Sequence, residues 1–253
     1  MRANSYQQIG KFMSNFTNKL ILVANMNKAT KNLIDEKSAQ VLEALSTHLL
    51  KTNETLNLTA IKDEDGVILK HLVDSCAIVP FIESGASICD IGCGGGFPSL
   101  VIAALRSDTR ILAVDSVTKK VKYVDDTAKM LGFANVSVSN ERAEVLGQGS
   151  ARESFDIACA RAVGRLNLIS ELCLPLVKVG GVFLAMKSQT TTEELNEAKR
   201  AIELCGGEVE RVISYTLTNG QESLERTIAV IRKIKKTPQM YPRNNSQISK
   251  KPL

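Results

Sequence analysis

The chain has 253 residues, 44% hydrophobic and 23% charged, with a formal net charge of +5. That composition fits one globular domain, and no apolar run reaches the ~18 residues a membrane span needs. Six cysteines without a C-x-x-C pair, and only His48 and His71 as imidazole donors, argue against a zinc site and read as reduced core residues.

Residues 1–34 are rich in Asn, Lys and Gln and weakly periodic. They read as a basic extension, in part disordered, with Met26 as an alternative start. From Asp35 the pattern sharpens: Leu42, Leu45 and Leu49 step at i, i+3, i+7 and predict a helix over 35–52. Asn57-Leu58-Thr59 breaks it, and a second helix is predicted over 63–81 with Asp63 or Asp65 at its N-cap. Strands are then predicted at 87–91, 110–115, 135–139, 155–160, 181–187, 208–217 and 226–234, and helices at 97–106, 118–131, 166–178 and 191–205. Helices alternating with apolar strands argue for an α/β fold, a parallel sheet covered on both faces. The last two strands have no helix between them and should form a hairpin, making one strand antiparallel. The expected organisation is a single domain over 35–240, opened by a helical cap at 35–82, with a basic tail at 241–253.

Charge is placed unevenly along this plan. Residues 1–34 and 226–253 carry thirteen basic residues and no acid, whereas 35–225 holds all 27 acids. Basic ends on an acidic body suit a polyanion partner, or equally a solvated tail. The N-terminus shows no small-residue cleavage site after an apolar core, so a cytoplasmic protein is expected.

Between the first strand and its helix lies Cys89-Asp90-Ile91-Gly92-Cys93-Gly94-Gly95-Gly96-Phe97-Pro98-Ser99. Glycines there let backbone approach a ligand closely. No Gly-Lys-Ser/Thr follows, which excludes a Walker ATPase. The dinucleotide fingerprint fails too, because Phe97 or Ser99 stands where its third glycine belongs. A glycine cluster alone is as much a tight turn as a site. Acidic neighbours strengthen it: Asp90 before the loop, Asp115 at the end of the second strand, where a carboxylate meets ribose hydroxyls or caps the next helix, and Ala143-Glu144 after the third strand. Glu144 on its own would be a surface residue. Together they suggest an adenosine ligand without pyrophosphate, and S-adenosylmethionine fits.

With these residues the chain resembles class I S-adenosylmethionine-dependent methyltransferases. Within them it resembles the bacterial small-subunit ribosomal RNA guanine-N7 methyltransferase family (RsmG, also called GidB). The resemblance is carried by Asn57 to Ile61, Lys70-His71-Leu72-Val73-Asp74-Ser75, Asp90 to Pro98, Asp115-Ser116, Arg142-Ala143-Glu144, Phe155-Asp156, Arg161-Ala162, Met186-Lys187 and Tyr241-Pro242-Arg243, in family order. It implies a Rossmann-like, seven-stranded, mostly parallel sheet. It implies S-adenosyl-L-methionine contacts at Gly92, Gly94, Phe97, Ala143, Glu144 and Arg161, with the ribose near Asp115. The implied substrate is 16S rRNA of the small ribosomal subunit, at guanine 527 of the decoding-region loop. Three positions depart from the family pattern: Ser99, Ser188 and Asn244.

Guanine N7 carries a lone pair in the neutral base, so no general base is sought. Arg161 and Lys187, near the ends of their strands, are the catalytic candidates. Lys187 serves equally well as an ordinary surface residue. Asp74 and Glu144 are candidates to ease positive charge on the base. His71 reads as a structural histidine, Asn57 and Thr59 as a turn at the pocket rim, and Tyr241 as packing or a base stacker. Rival readings are a class I methyltransferase for another RNA, a small molecule or a protein, and a non-enzymatic cofactor-binding module. Nothing demands more than a monomer, and no metal or membrane is expected.

Overall fold

The computed structural model describes residues 14–188, 190 and 192–253. Seven strands form one sheet: β1 (Ser87–Ile91), β2 (Arg110–Val114), β3 (Val136–Ser139), β4 (Phe155–Arg161), β5 (Val177–Lys187), β6 (Gly207–Thr218) and β7 (Ser223–Lys233). Their order is β3-β2-β1-β4-β5-β7-β6. The first five run parallel, and β7 is antiparallel to both β5 and β6, as the missing helix between the last two strands foretold. This is the class I methyltransferase topology. All five residues of β1 are buried, because helices cover the sheet on both faces.

Helix α1 (Asn15–Met26) is an element that the sequence reading of residues 1–34 did not name; it is capped by the Ser14 side chain and buries Phe16, Leu20, Val23 and Ala24. The spacing of those four residues is the helical signal that Asn and Lys obscured. Its end is fastened by buried Asn27, whose side-chain amide exchanges hydrogen bonds with the backbone of Thr218 at 2.7 and 2.9 Å. Residues 1–13 lie outside the described residues. Helix α2 (Glu36–Leu56) starts at the Asp35 capping box and buries Leu42, Leu45 and Leu49, the predicted stripe.

The helix predicted over 63–81 is composite. A turn at Glu64–Gly66, N-capped by Asp63, leads into a π-helical stretch Val67–Val73 and a last α turn Asp74–Cys76; together they are α3. A separate 3₁₀ turn covers Val79–Phe81. Stretches of π-helix concentrate at functional sites, and this one carries Lys70 and His71.

Helices α4 (Ser99–Leu105), α5 (Thr118–Met130), α6 (Ala143–Gln148), α7 (Leu166–Cys173) and α8 (Thr192–Leu204) connect the strands. The predicted helix over 166–178 stops early because Pro175 cannot continue it; a 3₁₀ turn at Leu174–Leu176 leads into β5, which begins four residues before its predicted start.

The basic tail is folded rather than free. Tyr241 is buried in the core, so packing, not base stacking, is its role. Arg243 grips the fully buried Glu171 of α7 at 2.7 and 2.8 Å. Asn244, one of the departures, caps a last helix, α9 (Asn245–Lys250). Arg226, Arg232 and Lys233 are likewise paired, with Asp74, Glu210 and Glu153. Half of the C-terminal basic residues are therefore neutralised within the fold, while Lys235, Lys236, Lys250 and Lys251 remain exposed. All six cysteines are free and buried. Among the described residues no helix is long and apolar enough to cross a membrane, and no cluster of His, Cys, Asp and Glu could hold a metal.

Candidate active site

The strand order reverses between β1 and β4, and α/β sheets gather ligands at the C-terminal ends of such strands. Two cavities open there. They share Ala162, which follows β4 with a left-handed φ of 57°.

The first cavity, about 280 Å³, is lined by Gly92, Asp115, Ala143 and Glu144 among others. Gly92 has φ +74°, and a Cβ there would lie 2.6 Å from the Val163 side chain, so only glycine holds this backbone. Asp115 is 8% exposed. One carboxylate oxygen accepts the Gly94 N–H at 3.0 Å and the other the Val117 N–H at 2.9 Å. The carboxylate thus ties the glycine loop to Val117 at the entry of α5; it does not cap that helix, whose N-cap is Val117 with no side-chain cap bond, and it stands on the cavity wall. Glu144 is buried, not superficial, and pairs with Arg142.

Asp90 lies beneath this loop, fully buried. Its Oδ2 accepts both the N–H of Ser99 at 3.2 Å and the Ser99 hydroxyl at 2.5 Å, and its Oδ1 has no partner. The departure at Ser99 thus closes the two ends of the loop on each other. Burial pushes the Asp90 carboxyl up to about 6 from 3.8, against the Ser99 bonds that favour its ion. A raised acid costs stability as it ionises: its contribution is complete while the acid is protonated in both states and is lost as pH rises through the folded value. The unfolding free energy of the wild type should therefore fall relative to Asp90→Asn between about pH 4 and about pH 6, and run parallel above. Urea unfolding across that window checks this, and parallel profiles throughout would refute it.

The second cavity, about 380 Å³, is lined by Ile61, Lys70, His71, Asp74, Arg161, Met186, Lys187, Ser188 and Arg226 among others. Arg161, the last residue of β4, organises it. Its guanidinium donates to the Lys70 carbonyl at 2.9 Å, to Asp74 at 3.3 Å and to His71 Nδ1 at 3.2 Å. It also sits 5.6 Å over the Phe97 ring, on which His71 stacks at 4.6 Å. Arginine can only donate, so Nδ1 is the unprotonated nitrogen of His71. Nε2 then carries the hydrogen and donates to the Thr59 hydroxyl at 2.8 Å. Burial, with Arg161 beside it, lowers the imidazole to about 3, so the ring is neutral at ordinary pH.

The expected residues are therefore divided. Gly92, Asp115, Ala143 and Glu144 share one cavity wall, with Gly94 bonded to Asp115, whereas Arg161 and Lys187 line the other cavity. The Phe97 ring lines neither; it supports His71 and Arg161 from beneath 4% exposure. Lys187 is bound to Glu194 at 2.6 Å and to the Gly164 carbonyl. His71 is the partly buried histidine expected, bonded to both Thr59 and Arg161, and it also lines the cavity. Asn57 is the left-handed C-cap of α2. Arg226 was missed as a site residue and counted only as tail charge. The antiparallel pairing of Lys187 with Thr227 is what brings it beside the end of β5.

A family model for rRNA small subunit methyltransferase G matches residues 38–224. The chain is 43% identical over 224 residues to the ribosomal RNA small subunit methyltransferase G of Staphylococcus carnosus, covering 87% of this chain and 92% of that protein. It is 44% identical over 212 residues to the protein of the same name from Lactobacillus delbrueckii, covering 81% and 87%. Among solved structures, the YcgJ protein of Bacillus subtilis shares the fold, with TM-score 0.51 at 14% identity over 66% of this chain and 100% of that one.

Proposed function

The chain belongs to the rRNA small subunit methyltransferase G family, and on that premise we propose that it methylates N7 of a guanine in 16S rRNA, guanine 527 of the decoding-region loop, as a cytoplasmic monomer. The observation that carries the reading is the pair of adjoining cavities meeting at Ala162: one acid-lined beside the glycine loop, the other rich in basic side chains. The first suits S-adenosylmethionine, since Asp115 offers acceptors to ribose hydroxyls and the backbone at Gly92 leaves room for close approach. When bound, that cofactor supplies a methyl group on a sulfonium centre.

Ala143 and Glu144, on the wall of the first cavity, would hold the adenine edge of that cofactor. The guanine enters the second cavity, where Ile61 and Met186 offer apolar surface and Arg161, Arg226 and Lys70 offer charge to O6 or phosphate. No residue needs to take a proton before attack. The chain's task is to hold N7 in line with the methyl carbon, about 3 Å away, and such positioning is where most of the acceleration arises.

Replacing Asp115 by Ala removes the ribose acceptors and the tie to Gly94. Cofactor affinity should fall about 10- to 100-fold in calorimetry, as loss of one or two bonds to a charged group predicts. Unchanged affinity would remove Asp115 from the ribose. The reading as a whole is tested by transfer of labelled methyl to small subunits from a strain lacking the modification. Label recovered as 7-methylguanosine at the decoding-region loop supports it. No label on subunits or free 16S rRNA refutes it.

A further inference from the structure

Resting on the guanine-N7 reading above, we propose that Asp74 reads the base: its carboxylate accepts the N1–H and the 2-amino group of the guanine on the edge opposite the reacting nitrogen. The usual way to recognise guanine is an arginine fork on O6 and N7. Here N7 is the nucleophile and must stay bare, so that fork is unavailable. Lys70, Arg161, Lys187 and Arg226 line the cavity. As donors they can hold O6 or a phosphate, but they cannot recognise the two adjacent donors of a guanine. An ionised carboxylate can, because it presents two acceptor oxygens side by side. Asp74 is the one carboxylate lining this cavity among the described residues.

Its own bonds leave it capacity. Arg161 Nη1 stands 3.3 Å from Oδ2, and Arg226 Nε and the Tyr215 hydroxyl stand 3.4 and 3.3 Å from Oδ1. Charge-assisted bonds normally close to about 2.7–2.9 Å, and Arg243 reaches 2.7 Å on Glu171 in this same molecule. Asp74 is thus oriented from β4, β6 and β7 but not saturated, and a carboxylate has about four lone-pair sites. Methylation puts positive charge on the guanine ring and makes N1–H a stronger donor. The same bond then tightens in the transition state, so reading the base also favours reaction.

Small subunits carrying either guanosine or inosine at the target position, made by ligation of the 16S rRNA, test this, since inosine lacks only the 2-amino group. The wild type should favour guanosine in kcat/KM by about tenfold or more, the loss of one bond to a charged acceptor. Asp74→Asn should lower the guanosine rate and narrow the preference to within about threefold, with cofactor affinity unchanged. A wild type that methylates both bases equally overturns the proposal whether or not the variant folds. An unaltered preference in Asp74→Asn overturns it too. Failure of the wild type on guanosine would instead remove the underlying guanine-N7 reading.

Discussion

Arg161→Ala is expected to lower the methyl transfer rate about 10²- to 10³-fold, the range found when a single preorganised donor is removed from an active site. The side chain is only 14% exposed and holds the Lys70 carbonyl, His71 Nδ1 and Asp74 together. All three of those partners lie on α3, so one guanidinium joins α3 to the end of β4. Without it, the His71 ring loses the donor that fixes its tautomer, and Asp74 loses one of its two guanidinium neighbours. Arg161→Lys should not restore the rate, since a point ammonium cannot span three acceptors held by a planar fork. Single-turnover transfer to small subunits measures the effect, and calorimetry with the cofactor separates binding from chemistry. A rate within a few-fold of wild type would exclude Arg161 from the site.

The second large effect concerns stability rather than chemistry. Arg243→Ala should destabilise the fold by about 3–5 kcal/mol, the cost of leaving a buried carboxylate without its partner. Glu171 is fully buried and takes the backbone N–H, Nε and Nη2 of Arg243. A variant changing both residues, Glu171→Leu with Arg243→Met, should recover most of that loss, because an apolar pair of similar volume leaves no charge unpaired. Urea unfolding of the three proteins checks this. Equal destabilisation by the single and double variants would show that the loss is one of packing.

The strands were legible because short β-branched runs separated by helical periodicity leave little choice of fold, and β1 came out at its observed residues, 87–91. What escaped has identifiable causes. Thr17, Asn18 and Lys19 between Phe16 and Leu20, and the unbroken apolar run Leu20 to Val23 after them, masked the helical period of α1. Pro175 was overlooked as a helix stop, and the glycine pair Gly180-Gly181 hid the first half of β5. The π-helical stretch has no composition of its own and shows only in the backbone. At the candidate site, Asp115 and Glu144 could be placed on a cavity wall because they follow parallel strands, whose C-terminal ends share the edge where the cavities open. Arg226 could not, since it sits near the beginning of an antiparallel strand, and only the sheet order reveals that this beginning lies at the same edge. The tail misled because charge counted along a sequence does not show its partners. Arg243 looked like a free cation and is half of an internal pair.

The pairing of Arg243 with Glu171 also bears on how the protein is made. Seventy-two positions separate the two residues, so during synthesis Glu171 emerges long before the residue that compensates it. Until Arg243 is free to fold, α7 has a carboxylate to bury and no counter-charge, and that side of the sheet has good reason to stay open. A released chain truncated just short of Arg243 should therefore expose α7 to protease, and the chain that includes Arg243 should not.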